Sequence, residues 1–545
     1  MRGKTLKMAV ATTAITLIAT GCSSSEPDDS GSSNSNAVVS IEIAEPQHLI
    51  PSNTTETSGA QVLSALFSPL VDFDKDNKPY EVAAESITST DNTLWTVKLK
   101  DGYTFHNGEK VNADSYINAW NYGAYGPNGQ GGAYFWEKVD GYADLQSTDP
   151  DGEEGPQKAP EPKAKKLTGL AKVDDLTFTV KLSAPFSEFK AVLGYTSFYP
   201  LPAAAWQSEG VLKEGFEDAI VGNGPFKLKG AWQHDQGIEV EKYDAFPGEK
   251  PKVGGVNFKI YQQLTSAYAD LQADNLDVIK TIPTEVLSSA QTDLGDRFKQ
   301  SPASTFQFVA FPTFQPEFAK PEVRKAISQA IDRDEIIKAV FKGSQKSARS
   351  FVSPVVAGYR DNTCADACTF DAAKAKAAYT AAGGPAKLQI SYNGDGGHKE
   401  WVDATCNQLK TNLGVECVGT AEPKFADLLT KVESKTPVGM FRMGWVMDYP
   451  SMENYLGPLY STNGSSNYYG YSNPAFDALV KEGASAPSLD EAIKKYQAAE
   501  DILVQDMPVI PLRFGQNTFG HSNKVKNVEI DLFNRVDLLK IESVS

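Results

Sequence analysis

The clearest hydrophobic patterning lies in the last third of the chain, where apolar positions switch repeatedly between helical and strand spacing. Helical spacing over 372–382 ends at Gly383-Gly384 and is followed by a strand over 387–393. A helix over 399–413, a strand over 415–418, a helix over 425–435 and an apolar strand over 438–445 come next. Alternation at this pace predicts βα units and a parallel or mixed sheet. The last strand closes on Gly444 and Trp445. After it come Val446, Met447, Asp448, Tyr449 and Pro450, and the proline cannot continue the strand. A lone acid just past the carboxyl end of such a strand sits where open α/β sheets bind ligands. The plainer alternative is that Asp448 caps the next turn and Trp445 is core.

Earlier segments add to the same class. A strand is expected over 37–44, then a loop and a helix over 54–70 with Val62, Leu63, Leu66 and Phe67 on one face. Strands over 94–100 and 103–106 are separated by Asp101-Gly102 and followed by Asn107-Gly108, both strong turn signals. Asn112 stands where a cap would start a helix over 113–122. The 147–166 segment is charged and proline-rich and reads as a solvated excursion. Strands are expected over 176–182 and 276–282, and an apolar crossing segment over 305–311. Pro321 opens the strongest helical signal, with Val323, Ile327, Ala330 and Ile331 at helical spacing, and Asp334 as cap of a second helix ending at Gly343. Helices over 473–483 and 489–505, a strand over 508–514 and a tail of strands over 528–541 complete the chain. There is no internal repeat.

At 545 residues, two to four domains are expected. The net charge of -17 argues against nucleic acid and anionic lipid headgroups as direct partners. Residues 1–21 read as a secretion signal: Arg2, Lys4 and Lys7 precede an uncharged stretch over 8–20, too short to span a bilayer. Ala19, Thr20 and Gly21 before Cys22 resemble the lipobox of bacterial lipoproteins, although Ala19 stands where those proteins usually have Leu. That resemblance implies a lipid on Cys22; the alternative is ordinary cleavage beside an incidental cysteine. Residues 23–36 hold seven Ser and no large apolar side chain, so 22–36 is expected to be a flexible tether. Four cysteines remain, Cys364, Cys368, Cys406 and Cys417. In an oxidising compartment they favour two disulfides over a metal site, with nearest-neighbour pairing first among three connectivities. The five histidines show no metal spacing, and neither a metal nor a cofactor is expected.

Four separated motifs carry a family resemblance over 37–545. The segment DGYTFHNGEKVNADSYINAWN, residues 101–121, is similar to the DG-x-x-F-H-x-G-x-x-x-x-A-D signature of extracytoplasmic solute-binding proteins of the peptide/nickel type, family 5. VGNGPFKLKGAW over 221–232 matches with Asn223 in place of the usual Thr, and LDVIKTI over 276–282 resembles a further strand. Val323, Arg324, Ala326, Ile327, Ala330, Ile331, Asp332 and Arg333 match the fourth motif. The resemblance implies a two-lobed α/β periplasmic-binding-protein fold, type II-like and of the large cluster C kind, with lobes hinged together. The implied division is lobe I over 37–71, an extra subdomain of lobe I over 72–205, lobe I over 206–304, lobe II over 305–513 and a return to lobe I over 514–545. It implies a monomeric oligopeptide- or dipeptide-binding lipoprotein on the outer face of the bacterial cell membrane, delivering peptide to ABC permease subunits with cytoplasmic ATPases. In that family Asp448 matches the acid that receives the ligand's amino group, and Arg442 a basic position for the carboxylate of short peptides. Gly444 and Val446 match residues whose backbone pairs with the ligand, with Trp445 as an apolar wall and Tyr449 beside it. His106 matches an architectural position.

Two rivals stand beside this reading. The same fold could carry nickel, haem or an oligosaccharide. A secreted hydrolase would need GxSxG, HExxH or a Walker A motif, and none occurs; the one SxxK, at Ser187 to Lys190, lacks its KTG partner. No enzymatic activity is therefore expected. The leader makes a direct prediction: Cys22→Ala should move the protein from the membrane fraction to the medium. Undiminished membrane retention would contradict lipidation.

Overall fold

The computed structural model describes residues 35–544, except 75–76, 148–157, 395–396, 424, 437 and 463. The leader, Cys22 and nearly all of the tether therefore lie outside the described residues, as does the middle of the 147–166 excursion.

Among the described residues, eleven strands form one mixed sheet that both lobes share. On the first-lobe side the order is Phe226–Leu228, Gly237–Lys242, Gly255–Ile260, Val38–Ile43 and Val278–Ile279. The second-lobe side ends in Met440–Trp445, Lys387–Asn393 and Glu416–Glu422. Between them run two antiparallel strands of 13 residues each, Phe298–Ala310 and Val509–His521. At the rise of a β-strand each is about 43 Å long, enough to cross from one core to the other. Their ladder holds from Phe298↔Gly520 to Pro302↔Gln516, breaks, and resumes at Phe306↔Phe514. That break is where the shared sheet can flex, since rungs there are missing.

Each lobe has its own core. In the second lobe the sheet is covered on both faces, which is why its strands read as apolar runs rather than alternations. Met440 and Val309 face helices Pro321–Gln329, Ala372–Ala382 and Lys399–Leu413. Phe308, Phe441 and Met443 face helices Glu453–Tyr460, Pro474–Ala484 and Leu489–Asp506. Each such side chain contributes about 1.5–3 kcal/mol. Lys387–Asn393 pairs in parallel with both Glu416–Glu422 and Met440–Trp445. Cys406 is bonded to Cys417, tying a helix to the strand after it, and Cys364 to Cys368 across one short turn.

The family motifs are architectural. Asn112 and Ser115 form a reciprocal capping box at the start of helix Ala113–Ala124, worth about 1 kcal/mol. His106 is held between Gly222 N–H and Gly224 O, and burial pushes its pKa down to about 4. A Cβ at Gly222 would lie 1.9 Å from the carbonyl oxygen of Leu66, so only glycine permits this approach. Arg324 lies buried and donates to the carbonyls of Phe318, Ala319, Asp506 and Met507.

Three local expectations are corrected. Residues 103–106 form no strand; a single bridge joins Thr104 to Lys110, because the Asn107-Gly108 turn folds the segment onto itself. Asp332, not Asp334, caps helix Arg333–Val340, accepting from Glu335 N–H at 3.0 Å. Asp334 already lies in the helix and pairs with Arg349 at 3.3 Å. The 528–541 tail is irregular apart from an Ile530–Val536 bridge. The Gln61 side chain satisfies Val536 within it, accepting from Val536 N–H at 2.6 Å and donating to Val536 O at 3.3 Å.

The lobes touch along one side. Ser187 N–H donates to Ala484 O at 2.7 Å, Asn92 Nδ2 to Ala486 O at 2.8 Å, and Phe186 meets Tyr449 edge-on. Glu188 and Glu453, both buried, approach each other at this contact. Burial first, and then the Glu453 charge, push the Glu188 pKa up to about 7. Folded Glu188 thus holds its proton up to about pH 7, whereas the unfolded chain ionises near 4.5. Stability present below that window is therefore lost as pH rises through it, by up to about 3 kcal/mol, and is flat above. Thermal melts across this range should show the loss in the wild type and a shallower slope in Glu188→Gln; equal slopes would contradict the assignment.

Candidate functional site

Strand Met440–Trp445 delivers the site. Its register with Phe298–Ala310 runs from Phe441↔Ala310 to Trp445↔Phe306. On the opposite edge, pairing with Lys387–Asn393 stops at Ser391↔Phe441. Among the described residues, backbone 442–445 therefore has a paired edge and an edge without a strand beside it. Pro450 then ends the extended run, and the chain enters helix Glu453–Tyr460.

Asp448 hangs at this exit, partly buried. Its backbone N–H donates to Asn454 Oδ1 at 2.7 Å, and Asn454 Nδ2 donates back to Asp448 Oδ2 at 3.1 Å. The Tyr134 hydroxyl, from the first lobe, donates to Asp448 Oδ1 at 3.3 Å. Burial raises the Asp448 pKa, and the hydrogen bonds from Asn454 and Tyr134 only partly offset it. The Tyr134 pKa is raised by burial and by the neighbouring carboxylate, so the phenol remains a donor. Among the described residues no cation lies within ion-pair distance of Asp448. An acid with hydrogen bonds but no counter-charge is suited to receive a cationic group.

A cavity of about 630 Å³ opens beside it, lined from the first lobe by Tyr134, Phe135, Lys138 and Phe186, and from the second by Trp445, Asp448, Tyr449 and Asn454, among others. Trp445 Nε1 lies 3.4 Å from Asn454 Oδ1, which orients the indole along the wall. The volume is within the range of small-ligand sites, and its position between lobes is where such sites form.

The structure brings Trp445, Asp448 and Tyr449 together on this cavity. It does not bring Arg442, Gly444 or Val446 onto its lining. Arg442 is 9% exposed and lies farther along the strand, donating from Nη1 to Asn393 Oδ1 at 3.1 Å and from Nη2 to Gln307 Oε1 at 3.5 Å. Gly444 lets the Gln307 side chain cross the strand, since a Cβ there would lie 2.4 Å from Gln307 Nε2. Val446 is 58% exposed and points away from the core. Tyr134, Lys138 and Asn454 escaped sequence reasoning. Asn454 carries a readable signal, a polar residue six positions after a strand-end acid, whereas Tyr134 meets Asp448 across 314 residues. Among the described residues no group of three His, Cys, Asp or Glu side chains gathers as a metal site.

Oligopeptide-binding protein OppA of Bacillus subtilis (strain 168) is 26% identical over 501 residues, covering 89% of this chain and 88% of that protein. Heme-binding protein A of Haemophilus influenzae is 25% identical over 566 residues, 96% of each chain. The solved structure of MppA, described as a periplasmic murein tripeptide binding protein in its unliganded open form, superposes with a TM-score of 0.79 over 94% of this chain and 98% of that one, at 22% identity. The family model described as bacterial extracellular solute-binding proteins, family 5 Middle, matches residues 78–467. The chain belongs to the bacterial extracellular solute-binding proteins of family 5.

Proposed function

We propose that this protein captures peptides between its lobes and delivers them to the permease subunits of an ABC importer, acting as a lipoprotein held by Cys22 on the outer face of the cell membrane. The observation that carries the reading is Asp448, whose carboxylate on the interlobe cavity accepts two hydrogen bonds and, among the described residues, has no cation within ion-pair distance. A peptide's α-amino group supplies that cation. The open edge at 442–445 supports the same ligand, because an extended peptide can add there as a strand and be held by its backbone, whatever its side chains. Gly444 and Val446 would give those backbone contacts, Trp445 and Tyr449 the apolar wall, and Arg442 would meet the carboxylate of a short peptide. The relatives named for oligopeptide and murein tripeptide agree with this choice.

A second reading follows from the relative named for haem. Haem has no amine for Asp448 and no backbone to pair with an open strand edge, so the residues favour peptide.

Enclosing an amine between lobes removes its water, and an opposing carboxylate offsets that loss. Asp448→Ala should cost about 3–5 kcal/mol, the range seen when a buried pair loses one partner, or roughly a hundredfold to a few thousandfold in Kd. N-acetylating the peptide should weaken wild-type binding similarly and the variant far less, because both changes remove one pair. Calorimetry on the four combinations is the test. If the two effects add, Asp448 is not the amine's partner.

A further inference from the structure

The cavity beside Asp448 is larger than an amino group needs. Its volume is about 630 Å³, whereas about 150 Å³ is enough to hold a benzene ring inside a protein. The buried part of its lining is mostly apolar. Phe135, Phe186, Phe189, Val192, Tyr449 and Val480 all line it and are only 2% to 8% exposed. The first four come from the first lobe and the last two from the second, so the wall is completed across the cleft.

Several of the rings hold one another in place. Tyr134 stacks on Phe135 with centroids 4.4 Å apart, and Phe135 on Tyr195 at 4.2 Å. That stack carries the Tyr134 hydroxyl to Asp448. Phe186 meets Tyr449 edge-on at 6.2 Å, and Lys138 Nζ lies 4.8 Å from the centroid of the Phe186 ring. Ring pairs of this geometry are favourable beyond the area they bury. The polar groups on the lining are engaged or face solvent. Glu453 accepts from the Tyr449 hydroxyl and lies 3.9 Å from Lys138 Nζ. Asn454 is spent on Asp448, and Asp477 accepts from Thr462 N–H at 2.9 Å. Glu137 and Lys481 are exposed.

With a peptide's amino group on Asp448, the first Cα is one bond from that nitrogen and the first side chain two. The first side chain is therefore the part of the ligand that the cavity around Asp448 receives. A ring laid on the buried wall gains in proportion to the area it covers, and water leaving an apolar wall loses few hydrogen bonds. A charged side chain there would give up its hydration against groups already engaged. We propose that this cavity reads the first side chain of the bound peptide and selects a large apolar ring, with Phe135, Phe186 and Val192 setting the preference. This inference rests on the peptide reading above and specifies the residue that carries the bound amine.

The test is calorimetry on the full-length protein with Phe-Ala-Ala, its isomer Ala-Phe-Ala, and Ala-Ala-Ala. The wild type should bind Phe-Ala-Ala roughly tenfold to a hundredfold tighter than Ala-Ala-Ala, the scale of burying one such side chain. Ala-Phe-Ala has the same composition and charges as Phe-Ala-Ala, and should stay within about threefold of Ala-Ala-Ala because its ring lies outside the pocket. In Phe186→Ala the preference for Phe-Ala-Ala over its isomer should shrink by roughly threefold to tenfold, the worth of one lost ring pair. Phe186→Leu, which keeps apolar bulk, should retain more of it. The ratio of the two isomers is read within each protein, so a uniform loss of affinity or stability in a variant cancels. Equal wild-type affinities for the isomers, or tighter binding of Ala-Phe-Ala, would overturn the pocket while leaving the peptide reading intact. A preference unchanged in Phe186→Ala would overturn its placement in this cavity. Wild-type binding of none of the three peptides would overturn both readings.

Discussion

A charge taken out of water must meet an opposite charge or a full set of hydrogen bonds, and this condition is met unevenly along the chain. In the body of the second lobe it is met internally. Glu500, fully enclosed, accepts from Ser350 and Phe351 N–H and pairs with Arg360 at 3.1 Å. Arg324 and Arg333 spend their donors on backbone carbonyls of neighbouring turns. Near the cleft the condition is left open: among the described residues, Asp448 has donors but no cation within ion-pair distance, and Arg513 has aromatic faces but no carboxylate. A carboxylate held ready at the interlobe cavity connects the buried chemistry of the site to a ligand that carries a positive group.

The sheet explains how such a site is opened and shut. Both lobes hang on the Phe298–Ala310 and Val509–His521 strands, and the ladder between them is interrupted beyond Pro302 and Gln516. Residues that flank the interruption on the second-lobe side, Phe306 and Phe514, are the same ones that abut Trp445 and Arg513. Flexing at this break would move Tyr134, Lys138 and Phe186 relative to Asp448, the motion that hinge closure uses. The side contact at Glu188, Glu453 and Tyr449 joins the same two lobes away from the crossing strands.

Much of this was legible in the sequence where the signal was local. Helices over 372–382 and 399–413 and the strand over 387–393 read directly, because their apolar spacing is continuous and their ends carry Gly383, Gly384 and Gly414. The crossing strands read short. Lys299, Gln300 and Ser301 in one, and Gln516, Asn517 and Thr518 in the other, are polar, so hydropathy marked only the halves inside the second-lobe core. Asp448 and Trp445 stand out in sequence because strand end, acid and proline are neighbours, and the structure places both on the interlobe cavity. Arg513 was passed over inside the apolar run Val509 to Phe514, although a lone cation in such a run is itself a signal. That no carboxylate among the described residues reaches Arg513 is a fact of three dimensions, as is the reach of Tyr134 from the other lobe.

The central claim is that the cavity between the lobes holds a peptide by its free amino end, and the most direct measurement is to ask what the protein carries. Protein purified from cells without refolding would be denatured, and the released small molecules identified by mass spectrometry. The account predicts peptides of mixed sequence, narrow in length and with unblocked amino termini. Release of haem, a metal complex or a sugar, or of peptides with blocked amino termini, would contradict it.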